Sequence, residues 1–361
     1  MSHPTPYLAD APVTSVPSIS LPADVPIAPL GLNESCHGAS PRAIQAAKAG
    51  AERLWVYPDP SSAVLRAAIG KAYSIDPAQI VCGNGSEELL DVVARVYARP
   101  GDEILFPAHG FMQFPVVAMR LGAAAVRAPE RVFTIDVDAL LARIGPRTKL
   151  VFIANPNNPT STCIDRDSLR RLVEGVPSEV VLVIDAAYAE YATAADYAIG
   201  HEYVAARENV LVLRTLSKAF GLAALRVGWA HCPVAMARLM NQVRGVGNVN
   251  AVAQAAACAA LEDMAFVADV VARNAATRER LAARYRALGL QPLPSQANFF
   301  AVGFPSGVGC SAKQAFEHLT RRGIWIRALA DCGMPEHLRI TIGTDADNER
   351  LFAALSEVLG R

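Results

Sequence analysis

The chain has 361 residues with 34 basic and 34 acidic side chains, so its formal charge is zero at neutral pH. That balance excludes the basic footprint that nucleic acid or an anionic membrane surface requires, and it directs attention to a small-molecule partner. The length suggests about two domains, enough for a cleft between them.

Seven cysteines, Cys36, Cys82, Cys163, Cys232, Cys258, Cys310 and Cys332, form no C-x-x-C pair. An odd, scattered set predicts reduced thiols in a cytoplasmic protein and no zinc site. The seven histidines also lack the spacing that places two ligands on one helix face, so no metal is expected. Apolar runs are of strand length, far below the roughly 20 residues of a membrane span. The first residues lack the basic and then apolar order of a secretory signal.

Residues 1–30 carry Pro4, Pro6, Pro12, Pro17, Pro22, Pro26 and Pro29 without helical or strand periodicity, which predicts an extended N-terminal arm. An alternating order follows: helix Ser62 to Tyr73, strand Gln79 to Cys82, helix Glu87 to Ala98 and strand Glu103 to Phe106. It continues through strand Lys149 to Ala154, helix Asp165 to Val173, strand Val180 to Ile184 and strand Val210 to Leu213. Continuous Val/Ile/Leu runs separated by helices predict an α/β fold with a mostly parallel sheet covered on both faces. A long alanine-rich helical stretch, Ala251 to Leu288, marks a change of pattern. Strands near Asn298 to Gly303, Ile324 to Arg327 and Leu338 to Ile342, with helices Ala312 to Arg322 and Ala346 to Leu359, predict a smaller α+β domain. The expected division is a large domain over 52–250 and a small domain over 31–51 and 251–361.

Lys218 lies in Thr215-Leu216-Ser217-Lys218-Ala219-Phe220-Gly221-Leu222, directly after the Val210 to Leu213 strand, with Arg226 eight residues on. A lysine at the end of a buried strand loses hydration, which lowers its pKa and frees it to act as nucleophile or base. Thr215, Ser217 and Arg226 beside it suit a phosphate monoester. An amine next to a phosphate clamp is what pyridoxal 5'-phosphate needs, the lysine for a Schiff base and the clamp for the cofactor's tail. Taken alone, the lysine could equally be a surface residue in an ordinary strand-to-helix turn.

Ligands of open parallel sheets lie beyond the carboxyl ends of the strands, and polar residues cluster there repeatedly. One strand ends in Gly83-Asn84-Gly85-Ser86-Glu87, opening a helix whose free N–H groups suit phosphate. Others end in Asn155-Pro156-Asn157-Asn158-Pro159-Thr160 and in Asp185-Ala186-Ala187-Tyr188. Asp185 can pair with a protonated pyridine nitrogen, Asn158 and Tyr188 can donate to a phenolate oxygen, and Phe111 can stack on the ring. Singly these are a helix cap, a turn and a core aromatic. Their joint order is more specific.

These segments, with Ser217 to Arg226 and Leu338-Arg339-Ile340-Thr341-Ile342-Gly343, resemble the motifs of histidinol-phosphate aminotransferases among the fold-type I pyridoxal-phosphate enzymes. The resemblance runs from about Asn33 to the C-terminus. It implies that Lys218 carries the cofactor and that Asn158, Asp185 and Tyr188 hold its ring. It also implies that Ser86 and Glu87, through backbone N–H groups, hold the phosphate with Thr215, Ser217 and Arg226. Tyr57 would reach the phosphate in the neighbouring subunit of a homodimer. Arg339 would bind the substrate's carboxylate or phosphate, with Arg327 a second candidate and Asn33 at the site's entry.

The sequence departs from the family pattern near substrate. The usual N-E-N-P-aromatic-G segment reads Asn33-Glu34-Ser35-Cys36-His37-Gly38, the glycine after N-P-T is Ser161, and the acid after the aspartate is Ala186. The implied activity is transamination of histidinol phosphate or an aromatic amino acid with 2-oxoglutarate and glutamate as the other pair. A decarboxylase or a cyclising or eliminating enzyme on the same scaffold is the alternative. A non-catalytic sensing module is a remoter one, because nothing in the proline-rich arm reads as a DNA-binding helix pair.

Overall fold

The computed structural model describes residues 25–361, so the expected arm over 1–30 lies outside the described residues up to position 24. The strands are β1 (Ala28–Pro29), β2 (Ile80–Asn84), β3 (Glu103–Pro107), β4 (Ala124–Ala128), β5 (Glu130–Arg131), β6 (Thr134–Ile135), β7 (Thr148–Ala154), β8 (Val181–Asp185), β9 (Val210–Thr215), β10 (Val227–His231), β11 (Gln291–Pro292), β12 (Phe299–Gly303), β13 (Ile324–Trp325), β14 (Arg327–Ala328) and β15 (His337–Thr341). The helices are α1 (Pro41–Ala51), α2 (Ala63–Tyr73), α3 (Ser86–Tyr97), α4 (Gln113–Arg120), α5 (Val137–Leu141), α6 (Arg166–Gly175), α7 (His201–Val204), α8 (Val234–Val243), α9 (Ala251–Leu261), α10 (Met264–Ala287), α11 (Ala312–Arg321) and α12 (Asp345–Leu359).

Seven strands form the main sheet in the order β2-β10-β9-β8-β7-β3-β4. All its pairings are parallel except those of β10, which runs antiparallel between β2 and β9. The apolar runs are continuous because successive residues feed opposite cores. Val181, Val183, Leu211 and Leu213 join a cluster with Leu89 and Val93 of α3 and Met236 of α8. Leu182, Ile184, Val210 and Val212 join another with Leu140 of α5 and Leu169 and Leu172 of α6. The sheet is therefore covered on both faces, as the sequence predicts.

A second sheet, β11-β12-β15-β14, is antiparallel and packs with α11, α12 and the end of α10 around Phe300, Leu319, Ile340 and Leu355. Residues expected in the arm contribute here, since Ala28 and Leu30 are buried in this core and β1 pairs with β13. The expected strand Ile324 to Arg327 is two, because β13 pairs with β1 whereas β14 pairs with β15. The expected helix Ala251 to Leu288 is also two, parted at Glu262–Asp263. Ala253, Ala257, Ala260, Val267 and Val270 share a cluster with Ile80, Val227 and Trp229. Among the described residues no helix is long and apolar enough to cross a membrane.

Candidate functional site

A cleft of about 500 Å³ opens where β7, β8 and β9 end and α3 begins. Lys218 projects into it from the turn after β9, and its Nζ donates to the Leu32 carbonyl at 3.1 Å. Burial, with the Arg339 charge adding to it, brings its pKa down to about 8. The turn is fixed by bonds from Gly221 N to the Lys218 carbonyl and from Leu222 N to the Leu216 carbonyl.

One end of the cleft is built for an anion. Gly85, at φ +85°, follows β2 and opens α3 without any side-chain cap, which leaves the first N–H groups of that helix free. A Cβ on Gly85 would stand 2.5 Å from Nη2 of Arg226, so only glycine lets the guanidinium reach this helix start. Arg226 Nη1 donates to Ser217 Oγ at 3.2 Å, and Thr215 Oγ1 accepts from Ser217 N at 3.1 Å. Two hydroxyls, a guanidinium and a helix N-terminus thus meet at one wall.

The other wall carries Asp185, the last residue of β8, whose carboxylate accepts from Ala187 N at 3.1 Å. Burial pushes this carboxyl up to about 7, against the smaller lowering effects of that bond and of Lys218. A buried carboxylate held so high lacks a cationic donor, the role of a pyridinium N–H. Asn158 and Tyr188 stand nearby in the lining, the first accepting from Arg339 Nη1 at 2.7 Å and the second from Asn33 Nδ2 at 3.0 Å. Arg339 Nη2 also donates to the Gly31 carbonyl at 2.6 Å. The donor set fits pyridoxal 5'-phosphate: an amine near neutrality, an anion cradle and an uncompensated carboxylate around one cleft.

The family model for aminotransferase class I and II matches residues 25–355. The chain belongs to that family. This aminotransferase is 48% identical over 330 residues to a histidinol-phosphate aminotransferase of Rhodospirillum centenum, covering 91% of each chain. It is 44% identical over 364 residues to the Rhodopseudomonas palustris enzyme of the same name, covering all of both. Among solved structures it resembles histidinol-phosphate aminotransferase from Sinorhizobium meliloti in complex with pyridoxal-5'-phosphate, with a TM-score of 0.86 and 31% identity over 92% of this chain and 91% of that one.

Most of the residues singled out from the sequence of this aminotransferase come together. Lys218, Ser86, Glu87, Phe111, Asn158, Asp185, Thr215 and Arg226 line the cleft, as do Tyr188, Ser217, Asn33 and Arg339. Two do not. Tyr57 is 96% exposed and lies outside the cleft of its own chain. Arg327 is also outside the lining, because its side chain is drawn into an ion pair with Asp331 four residues on. The sequence reading missed the Leu32 carbonyl that holds Lys218, which no side-chain pattern could reveal. It also missed Met112 and Gln113 in the lining. Their signal was their place directly after Phe111, where the segment following β3 enters α4.

Proposed function

We propose that the chain is a pyridoxal 5'-phosphate-dependent aminotransferase that takes histidinol phosphate as amino substrate and 2-oxoglutarate as acceptor. The observation that carries the anionic substrate is Arg339, which lines the cleft beside Lys218 from β15. Arg327 pairs with it across β14 and β15 but is neutralised by Asp331. Arg339 faces the cleft and suits a substrate anion, either the phosphate of histidinol phosphate or the carboxylate of an amino acid. The identity to relatives named for histidinol phosphate supports the former.

Bound pyridoxal phosphate supplies the electron sink that stabilises negative charge at the substrate's Cα. The residues of the chain do the rest. Ser86 and Glu87 through their N–H groups, with Thr215, Ser217 and Arg226, hold the cofactor's phosphate. Asp185 accepts the pyridine N–H, Asn158 and Tyr188 orient the phenolic oxygen, and Phe111 covers the ring. Lys218, held near neutrality by burial, anchors the cofactor and then carries the proton at the substrate's Cα. Arg339 grips the substrate's anion, and Asn33 fixes Tyr188 from the entry side.

The same reading makes the working form a cytoplasmic homodimer. Leu54, Trp55 and Tyr57 are 73%, 81% and 96% exposed in one run, an apolar patch suited to a second copy, across which Tyr57 reaches the partner's cofactor phosphate. Loaded protein given 2-oxoglutarate and a panel of donors tests the function. Histidinol phosphate should give glutamate at a higher kcat/KM than any aromatic amino acid; carbon dioxide release from an amino acid without glutamate would favour the decarboxylase alternative.

A further inference from the structure

We infer that Gln113 is a specificity-determining residue whose side-chain amide reads the ring N–H of the amino substrate, an inference that rests on the substrate proposed above. Gln113 opens α4 and lines the same cleft as Lys218 and Arg339. Its Oε1 is buried and has no hydrogen-bond partner among the described residues. A buried carbonyl oxygen without a donor is unfavourable, so the arrangement is completed when a ligand brings one.

Most other acceptors of the cleft are taken or assigned, and the Glu87 carboxylate stands at the phosphate end, in the first turn of α3. Asn158 Oδ1 accepts from Arg339 and the Tyr188 hydroxyl accepts from Asn33. Asp185 faces the cofactor, and Glu34 is exposed to water. Histidinol phosphate has three polar parts. Its amine goes to the cofactor side and its phosphate to Arg339, which leaves the imidazole. A neutral imidazole presents one N–H donor and one nitrogen acceptor, the complement of a primary amide. A change of the Gln113 side-chain rotamer lifts the whole amide from its buried position and brings Oε1 into the cleft to meet that N–H. Phe111 and Met112, which precede it in the lining, give the ring apolar walls.

A site that hydrogen-bonds a substrate N–H rejects analogues that lack it far more strongly than an apolar pocket does. The test compares histidinol phosphate with phenylalaninol phosphate, which keeps the amine and phosphate but has no ring N–H. In wild type, Gln113→Met and Gln113→Glu, kcat/KM is measured for both, and the dissociation constant of histidinol phosphate is taken from the concentration dependence of the pre-steady-state half-reaction. Gln113→Met should lower the ratio of kcat/KM between the two substrates at least about tenfold, through KM, with a matching rise in the dissociation constant. Gln113→Glu, which keeps an acceptor, should retain most of the preference. Equal losses for both substrates in Gln113→Met, or an unchanged ratio, would overturn the role of Gln113 and leave the proposed substrate standing. A wild-type enzyme inert towards histidinol phosphate would overturn the proposed substrate, and this inference with it.

Discussion

Gly221 presses against Gly38 so closely that a Cβ on Gly221 would stand 2.0 Å from the Gly38 carbonyl oxygen. The turn that carries Lys218 is thereby locked against the entry segment whose Leu32 carbonyl holds its Nζ. Gly221 also sits at φ +69°, where a side chain is strained. Gly221→Ala should displace the turn, cost about 1–3 kcal/mol or more, and weaken cofactor uptake at least tenfold. Titration of cofactor-free protein followed by its visible absorbance checks this, and wild-type affinity would show that the contact is dispensable.

Behind the site, Arg214 and Glu190 form an ion pair whose side chains are 2% and 8% exposed. Arg214 Nη1 also donates to His201 Nε2 at 3.1 Å, so His201 Nδ1 carries its proton and donates to His231 Nδ1 at 3.0 Å. Removing one partner leaves a buried charge uncompensated. Glu190→Ala should therefore lower stability by about 3–5 kcal/mol, read from the urea midpoint. A loss below about 1 kcal/mol would mean that water or the histidines replace the carboxylate.

Asp185 gives the cofactor-free protein a signature in pH. Its carboxyl titrates near 3.8 when unfolded and at about 7 when folded, so between these values the folded state binds more protons. Its contribution is present at low pH and lost as pH rises through about 7. Asp185→Asn removes that slope, so the cofactor-free variant should be the more stable protein at pH 8, by an amount on the order of a few kcal/mol, and closer to wild type at pH 4. Urea denaturation of both proteins at the two pH values decides this. Parallel profiles would show that Asp185 is solvated before the cofactor arrives.

Sharing of sites across a dimer predicts complementation. Tyr57→Ala and Lys218→Ala homodimers should each be weak or inactive. Subunit exchange between them should restore about a quarter of wild-type activity per site, since one site in the mixed dimer draws on Tyr57 and Lys218 from intact chains. No recovery in dimers shown by mass to have exchanged would place Tyr57 outside the partner's site.

The large sheet and its cofactor wall were legible because continuous apolar runs end in polar residues at the same edge. What escaped depends on distant contacts. β10 begins immediately after Arg226, and its Gly228 reads as a breaker. A Cβ there would strike Ser86 N at 2.2 Å, so the glycine serves the α3 start across the sheet. The division of the helix at Asp263 has no glycine or proline to announce it, and Ser40 Oγ donates to Asp263 from 223 residues away at 2.6 Å. Arg339 lines the cleft, whereas Arg327, on the same face, is captured by Asp331 from the following turn. Ser161, standing where the family pattern has glycine, is buried at φ +65°, in the left-handed region that glycine adopts most readily.

The most direct test of the central claim is a single half-reaction. Histidinol phosphate has no carboxyl group, so on this scaffold it can lose its amine but cannot be decarboxylated. Cofactor-loaded protein is mixed with histidinol phosphate in the absence of any 2-oxo acid, and the visible absorbance and the ketone formed are measured together. The account predicts loss of the lysine-bound cofactor band with one ketone per subunit, recovery of the band on adding 2-oxoglutarate with one glutamate formed, and no ketone from Lys218→Ala, which lacks the band from the outset. A band that persists with histidinol phosphate, or ketone formed by wild type and Lys218→Ala alike, would contradict it.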